Sequence, residues 1–148
     1  YGIDAHAELI ERGGESLSAL DRLSYKTLHA RSAVELIKEK YGDFAYSEVL
    51  DAVRYHTTGR EDMSLCEMII YLADYIDDSR RFDDCVKLRN YFWDAHPENM
   101  SAEQREEHLL RTLLLSFDMT LTSLLTEGSP ISIETVSARN SIILSLKR

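Results

Sequence analysis

Three side chains of the kind that bind metal ions, His29, His56 and Asp74, fall where helical periodicity turns them inward. His29 lies four, seven and eight residues before Ala33, Leu36 and Ile37, and His56 continues the series Val49, Ala52, Val53. Asp74 interrupts the apolar run IIYLADYI beside Ile70, where an unpaired buried charge would cost on the order of several kcal/mol. Imidazole and carboxylate together suit Fe, Mn, Zn or Co, and three successive helices would gather them at a bundle centre. The same residues read equally as hydrogen-bonded core groups, because no short spacing such as HExxH ties them together. Directly after His56, Thr57-Thr58-Gly59-Arg60 offers two hydroxyls, a flexible backbone and a guanidinium. That set suits a phosphate, but by composition alone it reads as an ordinary turn with a solvated Arg. Arg80-Arg81 and Arg139-Asn140 carry the same ambiguity. His6, His96 and His108 sit among polar neighbours and read as surface residues; Cys66 and Cys85, with no activating neighbour, read as core filling.

The elements that must position these groups are helices. Asp4 is a candidate cap for a first helix to Arg12, stopped by Gly13-Gly14, and residues 16–23 carry a weak amphipathic turn or two. An apolar stripe from Tyr25 to Tyr41 ends at Gly42, and Ser47 reads as the cap of a helix reaching Tyr55 or His56. Ser64 and Glu67 form a capping box for a helix to about Asp77, with Cys66, Ile69, Ile70, Ala73 and Ile76 expected to face the core. A helix from Cys85 to about Ala95 ends before Pro97. Ser101, with Gln104, opens a long helix to Gly128, and a last helix runs from Glu134 to Leu146. No strand-like alternation persists, so the expectation is an all-α single domain, residues 1–148, of about seven helices.

The composition narrows the function classes. A formal charge of −9 argues against a nucleic-acid partner, which requires a basic face. No uninterrupted apolar run reaches the roughly 18 residues of a membrane span. Two cysteines without CxxC spacing fit a reduced, cytoplasmic setting. The Leu-rich surface of the long helix is a candidate homodimer face and equally core filling.

The blocks RYHTTGREDMSLCEMIIYLADYI, TLHARSA and ETVSARN together resemble the YqeK-like branch of the HD-domain phosphohydrolases, over roughly Tyr1 to Ser145. That resemblance implies an HD-type helical bundle around a divalent metal centre, commonly iron and dinuclear in the intact site. It implies hydrolysis of a dinucleoside polyphosphate, diadenosine tetraphosphate, to two molecules of ADP by a metal-activated water. The family centre uses a first His, a His-Asp doublet, two separate His residues and a final Asp. By the resemblance His29 and His56 match the separate histidines and Asp74 the final acid. Thr57, Thr58 and Arg60 match the turn against the substrate phosphates, and Asn140 matches a further recurrent position. The sequence departs from the pattern in one large respect: its five histidines are followed by Ala, Ala, Thr, Pro and Leu, so it has no doublet. The expectation is that the doublet and first His, with their N-terminal helices, lie before Tyr1, and that the 148-residue piece alone binds metal weakly and does not hydrolyse. The alternative is a non-catalytic nucleotide-binding or protein-interaction domain derived from the same bundle.

Overall fold

Helix-stop and helix-start chemistry divides the chain where the sequence reading places the breaks. A computed structural model describes residues 2–147. Among them are eight α-helices and no strand: α1 (Ile3–Arg12), α2 (Ala19–Leu23), α3 (Leu28–Lys40), α4 (Ser47–Tyr55), α5 (Leu65–Tyr75), α6 (Asp83–Trp93), α7 (Ala102–Glu127) and α8 (Ile133–Leu146). Both expected capping boxes form: Ser64 with Glu67 at the start of α5, and Ser101 with Gln104 at the start of α7. A third, Ser18 with Asp21, turns the weak segment near residue 20 into the short helix α2. Two caps differ from expectation. Gly2, not Asp4, precedes α1, and Tyr46 is the N-cap of α4 while Ser47 is already its first helical residue. α7 ends on Gly128, whose φ of 65° and N–H bonds to the Leu124 and Leu125 carbonyls close the helix.

The main core lies between α5, α6, α7 and α8, built from Met63, Tyr71, Leu72, Ile76, Leu88, Leu113, Phe117, Ala138 and Ile142. α7 is its axis, packed on α5, α6 and α8. Over 18 residues its mean hydropathy is 1.3, so by length and composition it is long and apolar enough to cross a membrane, which the sequence reading did not expect. Here it is a core helix, with Thr112, Leu113, Ser116 and Phe117 fully buried. α3 packs between α1 and α4, so its buried residues Leu28, Ala30, Ser32 and Val34 fall on more than one side.

That arrangement corrects the expected orientation of two helices. In α5 the buried face is Glu67, Tyr71 and Leu72, followed by Ile76 at the C-cap. Ile69 and Ile70 are about half exposed, and Leu65 and Ala73 are exposed with them. α5 is apolar nearly all round, so periodicity could not say which side meets α7. In α3, His29 is exposed, because the flanking positions Leu28 and Ala30 take the buried directions. His108 is corrected the other way. It is buried, stacks between Tyr91 and Phe92, and its Nε2–H donates to the Phe92 carbonyl at 3.0 Å. Of the cysteines, Cys85 is buried, and burial pushes its thiol up; Cys66 is half-buried.

Candidate active site

The turn between α4 and α5 is pressed onto the core by a glycine. Gly59 has φ 65°, and a Cβ there would stand 2.7 Å from the Phe117 ring and 2.9 Å from Ala138 Cβ. Only glycine meets both demands. Further along, Asp62 is tied to α8: its N–H donates to Ser141 Oγ, and Ser141 Oγ–H donates back to its carboxylate, both at 3.0 Å. The residues just before Gly59 are thereby held in place against α7 and α8.

His56, the C-cap of α4, meets His29 at the start of α3, with the two Nε2 atoms 3.1 Å apart and the rings edge-on at 69°. Their other nitrogens are committed. Nδ1–H of His29 donates to the Lys26 carbonyl at 2.8 Å, and Nδ1–H of His56 to the Val53 carbonyl at 2.7 Å. A carbonyl can only accept, so both Nε2 atoms carry lone pairs in the neutral rings and face one another. Such a contact is repulsive unless a cation, a proton on one ring or a metal ion, stands between them. Backbone carbonyls that fix the Nδ1–H tautomer are the usual outer shell of metal-ligating histidines. Two imidazole nitrogens about 2.0–2.1 Å from one ion and at right angles stand about 3 Å apart. The pair therefore fits a divalent metal.

Asp74 is not part of this contact. Its carboxylate is 40% exposed and receives a hydrogen bond from Arg80 across the turn after α5. The apolar run thus holds a solvated ion pair and not a lone buried charge. No cluster of three or more His, Cys, Asp or Glu placed to hold a metal occurs among the described residues. Two of the three expected ligands meet; the third stands apart.

The other expected contacts divide similarly. Arg60 donates Nε to Glu67 at 2.5 Å and Nη2 to Glu67 and Asp51 at 3.0 and 3.3 Å, and lies over the Tyr55 ring. Burial pushes the Glu67 carboxyl up, but hydrogen bonds from Arg60 and from Ser64 outweigh it and hold the group below the ordinary glutamate value. Arg60 is occupied by the protein. Thr57 and Thr58 line two adjoining cavities of about 220 and 350 Å³ that also share Ser24, Thr27 and Ser132. Thr58 is buried and donates to the Gly59 carbonyl at 3.0 Å. Asn140 is exposed on α8 and lines neither cavity. Arg54, which the sequence reading passed over, lines the smaller cavity beside Thr57. Its signal was its place one helical turn before Thr57.

The HD domain family matches residues 9–78, which span both histidines and Asp74. A solved structure from Clostridium acetobutylicum, described as a predicted HD superfamily hydrolase involved in NAD metabolism, superimposes with a TM-score of 0.79 at 32% identity. It covers 97% of this chain and 69% of that one. The chain belongs to the HD superfamily. Among curated proteins, this HD chain is 36% identical over 135 residues to a symmetrical bis(5'-nucleosyl)-tetraphosphatase of Halalkalibacterium halodurans, covering 90% of the chain and 65% of that relative. A Bacillus subtilis protein of the same description is 30% identical over 115 residues, covering 78% and 54%. The HD chain thus spans less than two thirds of the length of the curated relatives it matches. The resemblance read from HTTGR and LADYI is borne out at the level of family and of the YqeK-like branch.

Proposed function

We propose that the protein carrying this domain is a metal-dependent hydrolase of dinucleoside tetraphosphates, releasing two nucleoside diphosphates. The observation that carries this reading is the His29–His56 pair, whose Nδ1–H groups are locked and whose Nε2 lone pairs converge at 3.1 Å. His29 and His56 would hold a divalent ion, iron by family resemblance. Bound there, such an ion supplies Lewis-acid activation of water and neutralises phosphoryl charge. Two imidazoles do not complete a coordination sphere. Asp74, once released by Arg80, and a His and His-Asp doublet outside these 148 residues would supply the rest. The exposed apolar stripe of Leu65, Ile69, Ile70 and Ala73 on α5 supports a further segment packing beside this centre. Thr57 and Thr58 line the cavities where phosphates would lie, with the Thr57 hydroxyl the one left to donate, since that of Thr58 is spent on the Gly59 carbonyl.

The lack of a third donor close to the pair among the described residues favours a second reading, a nucleotide-binding domain without a metal. One experiment separates the two. The gene product carrying these residues is loaded with iron(II) or manganese, its metal content is measured by mass spectrometry, and diadenosine tetraphosphate turnover is followed by chromatography. Stoichiometric metal with ADP as sole product, both lost in His56→Ala, supports the hydrolase. Nucleotide binding without metal or turnover supports the binding domain.

A further inference from the structure

The sequence offers Arg60 as the guanidinium for substrate phosphate; the structure assigns that role, we propose, to Arg54 acting with Thr57. This rests on the reading of the domain as one that takes a polyphosphate.

Two buried side-chain atoms among the described residues lack a hydrogen-bond partner, Arg54 Nη1 and Thr57 Oγ1. Both belong to residues that line the cavity of about 220 Å³ between α2, α3, the end of α4 and the start of α8. Leaving a buried donor unpaired costs about 1–3 kcal/mol, more for a charged group, so such atoms point to a missing acceptor.

The neighbouring charges show why Arg54 is the available cation. Arg31, on the same wall, is saturated: Nε and Nη2 donate to Glu15 Oε2 at 3.1 and 2.7 Å, and Nη1 to Asp21 Oδ1 at 2.8 Å. Asp21 in turn caps α2, taking the Ser18 N–H and O–H at 2.8 and 2.7 Å. Arg54 meets the Glu15 oxygen already shared with Arg31, 3.2 Å from Nη2, and lies 5.7 Å over the Tyr55 ring, while Nη1 has no hydrogen-bond partner. The same cavity wall carries the hydroxyls of Ser24 and Thr57; Ser132 Oγ–H is spent on Glu134 at 3.3 Å, and of the two lining carboxylates Asp21 is matched by Arg31 and Ser18. One guanidinium edge and these rotatable hydroxyls make a donor set for a tetrahedral oxyanion, which accepts through every oxygen. Arg54 and Thr57 flank His56 in the chain, while neither His56 nor His29 lines this cavity, so the oxyanion site is distinct from the imidazole contact. The ligand chemistry is therefore a phosphoryl group of a polyphosphate chain, held before any metal is present.

Pyrophosphate titrated calorimetrically into the protein in excess EDTA tests this independently of metal and turnover. The expected result is one saturable site, weakened about 10-fold or more by Arg54→Gln and by the isosteric Thr57→Val, as for loss of one charge-assisted hydrogen bond. Arg54→Lys should recover part of the affinity, and Arg111→Gln on the far helix should leave it unchanged. If wild-type protein binds no pyrophosphate, or if Thr57→Val and Arg54→Gln bind it as tightly as wild type, the cavity holds only water and the assignment is overturned. If Arg54→Gln fails to fold, Thr57→Val alone decides. Loss of the hydrolase reading would show instead as absent metal or turnover with pyrophosphate binding intact.

Discussion

Arg60→Met removes the guanidinium that faces Glu67 while keeping most of the side-chain volume. Glu67 is 1% exposed, and its oxygens accept from Arg60 Nε at 2.5 Å, Arg60 Nη2 at 3.0 Å and the Ser64 N–H at 2.7 Å. Removing one partner of a buried pair costs about 3–5 kcal/mol. Arg60 is 36% exposed, and the Ser64 bond survives, so the expected loss is about 2–3 kcal/mol at pH 7. In a domain of this size that lowers the melting temperature by roughly 5–10 °C. The pH dependence identifies the cause. In wild type the Glu67 carboxyl is held below its unfolded value, so its contribution is present above that value and fades as pH falls through the folded one. Without Arg60, burial prevails and pushes the carboxyl up, so the cost is greatest at neutral pH and shrinks once acid protonates Glu67. Thermal and urea unfolding followed by circular dichroism at pH 7 and pH 4 measures both. A gap under about 0.5 kcal/mol at pH 7, or one that widens in acid, would refute the reasoning. The double variant Arg60→Met/Glu67→Met should recover most of the loss, because two apolar groups replace the stranded charge.

Gly59→Ala should cost about 2–4 kcal/mol, combining a left-handed backbone with a Cβ 2.7 Å from the Phe117 ring; the urea midpoint reads it. His108→Ala should cost about 2–4 kcal/mol through the lost stacking on Tyr91 and Phe92 and the cavity left behind, whereas exposed His96→Ala should stay within about 0.5 kcal/mol. Equal unfolding midpoints for the two variants would return His108 to the surface. His29→Ala and His56→Ala should each lower divalent-metal affinity at least about 10-fold, in equilibrium dialysis, with the melting temperature nearly unchanged for the exposed His29. Metal affinity preserved in either variant would remove that residue from the site.

The fold class was readable because helix boundaries are local chemistry. Ser64 with Glu67, Ser101 with Gln104, and Gly128 act within one turn of chain, and each works as its spacing implies. Orientation was not readable where a helix is apolar on both sides. α5 puts Glu67 inside and Ile69 and Ile70 outside, because a carboxylate with three hydrogen bonds is as buriable as an isoleucine. Nothing in the pattern of hydrophobic residues records that. Asp74 looked isolated for the matching reason: its partner Arg80 lies beyond the end of the helix, and only the turn after α5 brings the two together. The His29–His56 contact was readable as a pair of candidates, but their meeting depends on how α3 packs against α4.

The segment Arg54–Arg60 shows how one short motif separates holding from binding. Tyr55 lies beneath the guanidinium of Arg60, Gly59 leaves room for Phe117, Thr58 is buried, and Arg60 neutralises Glu67. These four residues spend their interactions within the protein. Arg54, His56 and Thr57 each keep an atom back: Nη1 and Oγ1 without a partner, and an Nε2 whose contact is another histidine's Nε2. A residue whose donors and acceptors are all matched internally contributes stability, and only an unmatched group gains by meeting a ligand. Residue type alone made Arg60 the natural choice for a phosphate contact, because it sits in the turn and carries the right charge. The guanidinium with an unmatched donor lies six residues back, on Arg54 at the other side of His56.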